Sequence, residues 1–162
     1  MSNNKETLAN LQTALSMELT AATQYLLHAH VLEDWGMDKL ADKMREEMHE
    51  ELDHVGRFVD RILFLGGDPV MTPANTPRRA QSLSEMFEID RKDEKEAIRF
   101  YTDAARTAYE AGDIGSRTLF EEIVLDEEGH WAWLDLQLTL LDKLGEPVFM
   151  TKYISADETD AG

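Results

Sequence analysis

Four glutamates and two histidines recur in this sequence at a spacing suited to holding two metal ions. Glu18 is followed by Glu51-x-x-His54, and Glu94 by Glu127-x-x-His130. The interval from Glu18 to Glu51 is 33 residues, and so is that from Glu94 to Glu127. A shift of 76 residues carries the first set onto the second, and also carries Tyr25 onto Tyr101 and Gly36 onto Gly112. Residues three apart share one face of a helix, so each Glu-x-x-His offers an oxygen and a nitrogen on the same side. All six sit in gaps of apolar helical stripes. Leu11, Leu15, Ala22 and Tyr25 flank Glu18, and Met44, Met48, Val55 and Phe58 flank Glu51 and His54. Phe87, Ile98 and Tyr101 flank Glu94, while Leu119, Ile123, Leu134 and Leu138 flank Glu127 and His130. A carboxylate turned into a core costs several kcal/mol unless it is paired or bound to a cation. Four carboxylates neutralise two divalent ions, and oxygen with imidazole suits iron or manganese better than copper. So few ligands per metal leave room for oxygen or peroxide.

These side chains need helices to position them. Gly and Pro are absent from about Asn4 to Asp34, and the sparse glycines and prolines beyond break the rest of the chain into further long segments. The pattern predicts helices over about 4–34, 37–65, 82–111, 113–144 and 147–155, with Ser82 or Ser84 as a cap and a frayed tail from Ser155. The only loop-like stretch, about 66–82, holds Pro69, Pro73, Asn75 and Pro77. A long connection of this kind lets a bundle cross from one helix pair to the other. The expected fold is all-α: one domain over 1–162, a four-helix bundle with a short fifth helix. The register is consistent. At a rise of ~1.5 Å per residue, Glu18 and Glu51 lie roughly 24 and 20 Å from the first turn, and Glu94 and Glu127 roughly 26 and 21 Å from the second. All six side chains meet in one layer.

Composition excludes other classes. There is no cysteine, which removes disulfides, thiolate metal sites and Cys-ligated clusters. The net charge of −17 argues against nucleic-acid partners and for attraction of cations. No apolar run is long enough to span a membrane, and the first residues do not read as a signal peptide, so the expected location is cytoplasmic. Tyr25 and Tyr101 stand one to two turns from the glutamates, where a hydroxyl could bond a ligand carboxylate. Asp90 reads either as such a supporting group or as an acid near a helix start. Glu46-x-x-His49 has the metal-binding spacing but lies on a polar face with Arg45, Asp53 and Asp60. Glu46 and Glu50, with His49 and Asp53, form an acidic row there, suited to passing cations or simply to solvation. His28 and His30 are expected at the surface and Trp131 in packing.

The sequence resembles bacterioferritin, the haem-binding branch of the ferritin family. The resemblance covers about 4–155. It is carried by Glu18, Glu51-Leu52-Asp53-His54, Glu94 and Asp126-Glu127-Glu128-Gly129-His130, and by Gln24-Tyr25-Leu26-Leu27-His28-Ala29 and Arg61-Ile62-Leu63-Phe64-Leu65-Gly66-Gly67. It implies a ferritin-like bundle whose twenty-four copies close into a hollow shell. It also implies a ferroxidase that oxidises ferrous iron with oxygen or hydrogen peroxide and stores ferric mineral. Glu18 and Glu94 would be terminal ligands of two irons per subunit, Glu51 and Glu127 bridges, and His54 and His130 the nitrogen ligands, with Glu46 and Glu50 on the cavity face. One position departs from the family. The methionine that holds haem at a subunit twofold is here Leu52, which has no thioether. Haem b is therefore not expected in a homomeric shell and would need a mixed shell with a methionine-bearing subunit. A di-iron peroxidase and a passive metal-binding bundle are the alternatives; oxygen or peroxide consumed per iron separates the passive bundle from both enzymes.

Overall fold

The computed structural model describes residues 4–155. Its elements are α1 (Asn4–Asp34), α2 (Asp38–Phe64), α3 (Leu83–Glu110), α4 (Ile114–Leu144) and α5 (Glu146–Thr151), with no strand among the described residues. The chain is an all-α four-helix bundle with a short C-terminal helix. Two starts are capped by side chains. Ser82 Oγ accepts the Glu85 backbone N–H at 3.1 Å, and Asp113 Oδ1 accepts that of Ser116 at 3.0 Å. These bonds satisfy amide groups that the first helical turn cannot. Gly36 and Gly112 adopt φ of 84° and 74°, the left-handed conformation that lets each helix pair reverse within a few residues.

The crossover between α2 and α3 is fastened along α1. Val70 exchanges hydrogen bonds with the Gln12 side chain, Ala74 N donates to Ser16 O, and Asn75 N donates to Thr20 Oγ1. Gln24 ends the series: its Oε1 accepts from Arg78 N at 2.9 Å and its Nε2 donates to Arg78 O at 2.8 Å. Loop and α1 positions rise together, so the chain travels the length of α1 before α3 begins. As a result, α3 runs antiparallel to α1.

The buried apolar residues fall into two clusters. One joins Tyr25, Ala29, Leu32, Leu40, Met44, Phe87, Leu134 and Phe149. The other joins Leu11, Leu15, Phe58, Ile62, Tyr101, Phe120 and Ile123. On each long helix the gap between clusters contains the glutamate or Glu-x-x-His. The core is thus two apolar plugs with a polar layer between them.

Helix ends differ from the sequence expectation mainly at α5, which closes at Thr151. The segment beyond it is tied back. Tyr153 O accepts from Lys39 N at 3.0 Å, and Ser155 N donates to Asp38 Oδ1 at 2.9 Å. Ser155 is therefore held rather than frayed, because Asp38 at the start of α2 offers it a carboxylate. The rest of the expected tail, with Asp157, Glu158 and Asp160, lies outside the described residues.

Candidate metal centre

Glu18 on α1, Glu51 and His54 on α2, Glu94 on α3, and Glu127 and His130 on α4 are all buried. They converge as two overlapping groups. Glu18, Glu51, His54 and Glu127 place one ligand atom each within 4.8 Å of one another, and so do Glu51, Glu94, Glu127 and His130. Glu51 and Glu127 belong to both groups. His54 Nδ1 lies 3.0 Å from Glu127 Oε1 and 3.4 Å from Glu18 Oε2. His130 Nδ1 lies 3.0 Å from Glu51 Oε1 and 3.5 Å from Glu94 Oε1. The two imidazoles stack with centroids 6.4 Å apart. A volume for two adjacent cations, with two shared carboxylates between them, follows from this arrangement.

The atoms aimed into that volume have no hydrogen-bond partner: Glu18 Oε2, both Glu51 oxygens, His54 Nδ1, Glu94 Oε2, Glu127 Oε1 and His130 Nδ1. Buried polar atoms are ordinarily paired, so a concentration of unpaired ones makes this layer the candidate site for a bound cation. The remaining oxygens of Glu18 and Glu94 are secured from the opposite half. Tyr25 Oη donates to Glu94 Oε1 at 2.6 Å, and Tyr101 Oη donates to Glu18 Oε1. This reciprocal pairing makes the 76-residue repeat a structural pseudo-twofold and fixes the register of α1 on α3.

Electrostatics follow from crowding. Burial, then repulsion from Glu51 and Glu127, pushes the Glu18 carboxyl far above the ordinary carboxylate range. Burial, then Glu127 and Glu51, does the same to Glu94. Burial opposes charge on His54 and His130, yet the carboxylates crowded against them raise both imidazoles above their usual value. Glu127 is also opposed by burial, but its close contacts with Glu94, His130 and His54 hold it low. The metal-free centre therefore stores protons where cations would sit. A cavity of about 370 Å³ bounded by α1, α3 and the crossover reaches this layer, with Gln24, Ala74 and Arg78 towards the outside and Glu18, Glu51, Glu94 and Glu127 within.

The structure places the other sequence candidates as follows. Glu46, His49 and Asp53 are exposed on α2. Glu50 is also exposed, but its carboxylate reaches back to His130 Nε2. Leu52 is 45% exposed and offers no donor atom for haem iron. Trp131 is half-buried. His30 is exposed, but His28 is fully buried, contrary to the surface expectation. Its Nδ1 donates to Asp90 Oδ2 at 3.0 Å and its Nε2 accepts from Gln24 Nε2 at 2.8 Å. That pairing stabilises an imidazole on the core side of α1 and resolves Asp90 as its buried partner. Three residues close to the centre escape the sequence reading. Asp126 Oδ2 lies 3.0 Å from His54 Nε2, Glu47 Oε2 lies 2.8 Å from His130 Nε2, and Lys43 Nζ lies 2.6 Å from Glu47 Oε1. Glu47 occupies a stripe position beside Met48, which is the signal that could have revealed it.

A ferritin-like domain model matches residues 8–144. The bacterioferritin of Rhodobacter capsulatus is 39% identical over 149 residues, covering 92% of this chain and 92% of that protein. The bacterioferritin of Brucella melitensis is 39% identical over 146 residues, covering 90% and 91%. The solved R. capsulatus bacterioferritin, described as having a metal-free dinuclear site and haem iron in a crystallographic special position, superposes with a TM-score of 0.91. It is 38% identical, and the match covers 94% of this chain and 95% of that one.

Proposed function

Because the chain belongs to the ferritin-like family, in its bacterioferritin branch, we propose that it stores iron by oxidising Fe²⁺ at a two-metal centre within each subunit. The observation that carries this reading is the set of buried, unpartnered oxygens and imidazole nitrogens that converge as two groups sharing Glu51 and Glu127. Two ferrous ions supply one electron each, enough to reduce hydrogen peroxide to two waters or oxygen to hydrogen peroxide, with two protons consumed in either case. Glu18 and His54 hold one ion, and Glu94 and His130 the other. Glu51 and Glu127, common to both groups, would be shared between the two ions. Tyr25 and Tyr101 keep the terminal carboxylates turned inward, so the site needs little reorganisation as ions enter. The two apolar plugs exclude bulk water from both ends of the layer.

At the scale of the assembly, the same reading has twenty-four copies enclosing a cavity for ferric mineral, in the cytoplasm, as a homo-oligomer or a shell mixed with a second subunit type. Glu46 and Glu50 face that cavity and assist mineral growth. Leu52 does not fit haem ligation, so haem enters only beside a methionine-bearing partner. Oxygen or peroxide consumption after anaerobic iron loading tests the activity. The expected result is a fast phase in the native chain that is lost in Glu127→Ala; an unchanged fast phase in that variant rejects the centre.

A further inference from the structure

The pseudo-twofold that relates the two halves of the centre is broken behind the histidines. Both histidines present Nδ1 to the metal volume and turn Nε2 away from it. Behind His54 stands Asp126, and behind His130 stands Glu50, its counterpart in the 76-residue repeat. His130 has a second carboxylate, Glu47 Oε2 at 2.8 Å. Glu47 is 3% exposed, and its other oxygen is held by Lys43 Nζ at 2.6 Å. The repeat places Leu119 and Ile123 where this pair would recur, so His54 has no such support.

We propose that Glu47 is a positioning residue for His130, and that with Lys43 it makes the Glu94–His130 metal position the tighter of the two. This rests on the two-metal reading above. A carboxylate accepting the outer N–H of a ligating imidazole fixes the ring and its tautomer and makes the inner nitrogen a better donor; losing such a group typically weakens metal binding about 10–100-fold. Asp126 and Glu50 take this hydrogen bond on the two sides, but both are exposed to water; Glu47 Oε2, unpaired and 2.8 Å from His130 Nε2, is the buried acceptor that takes it whenever Glu50 turns out to solvent. Glu47 is fixed by burial and by its lysine, so its effect persists on one side only.

The test uses Co²⁺, which has visible bands and no oxidation step here. Metal-free protein is titrated by absorbance, and crystals soaked at about one Co²⁺ per chain are measured by anomalous diffraction. The native protein should bind two Co²⁺ per chain and fill the Glu94–His130 position first. In Glu47→Gln the tighter step should weaken about 10–100-fold, and the preference should disappear. Lys43→Leu with Glu47→Ile copies the opposite half and avoids stranding a lysine; it should behave the same way, with the other step unmoved. Equal occupancy in the native crystals, or a preference unchanged in the variants, overturns the inference and leaves the two-metal reading standing. Failure of the native chain to bind two Co²⁺ at these residues overturns both.

Discussion

Burial and crowding favour the protonated forms of four side chains in the candidate centre. Glu18 and Glu94 are raised by burial and by neighbouring carboxylates, and His54 and His130 are raised by the carboxylates around them against the effect of burial. Groups raised in the folded state stabilise it fully below their unfolded values and lose that contribution as pH climbs through the raised ones. The metal-free chain should therefore lose stability upward from the ordinary carboxylate value of 4.5, through Glu18 and Glu94, and more steeply above 6.5 as the imidazoles contribute. A bound ion replaces the protons, so the gap in melting temperature between Zn²⁺-loaded and metal-free protein should widen with pH. Calorimetry across that range checks the sign, and a gap that narrows would contradict it. Zn²⁺ uptake should also release protons into weakly buffered solution. The six converging residues are legible in the sequence because a charge in an apolar stripe is costly and repeats at one spacing. His28 is not legible, because the partner that makes its burial tolerable, Asp90, is 62 residues away on another helix. Asp126 escapes for a related reason: it is an exposed acid among exposed acids until α2 brings His54 beside it.

Two devices hold the helices in register around the layer. Arg61 on α2 grips the start of α4: its guanidinium binds Asp113, and its Nε donates to Ser116 Oγ at 2.9 Å. Gly115 lies so close that a Cβ there would stand 2.5 Å from an Arg61 nitrogen. Arg61→Ala should cost about 1.5–3 kcal/mol in denaturant unfolding, the range for a charged hydrogen-bonded partner. Gly115→Ala should displace the guanidinium and lose part of the same energy. Gln24 is the second device. Gln24→Ala should raise amide exchange across 74–79 more than elsewhere and, because it also strips the bond to the buried His28 Nε2, should lower global stability by about 1–3 kcal/mol. Uniform exchange throughout the chain would contradict that. Helix boundaries are legible from glycine and cap chemistry, since Gly36, Ser82 and Gly112 act locally. The route of the crossover is not, because prolines announce a loop without saying which helix its backbone will bond. Likewise α5 continues into a segment tied to Asp38, a contact between residues far apart in sequence.

The chain carries −17, and the proposed shell would multiply that field. Iron uptake should slow as salt screens it, with the stoichiometry of the fast phase unchanged. Leu52→Met is close to volume-conserving and should allow haem to bind where the native chain, purified alone, shows none. Absorbance spectra of the two proteins check this, and haem held by the native homomer would contradict the reading of Leu52. Most direct for the central claim is stopped-flow titration of metal-free protein with Fe²⁺ in the presence of oxygen, comparing the native chain with Glu94→Ala. The account predicts a fast phase that saturates at two irons per chain and vanishes in the variant. Saturation at another stoichiometry, or a fast phase that survives the loss of Glu94, would contradict it.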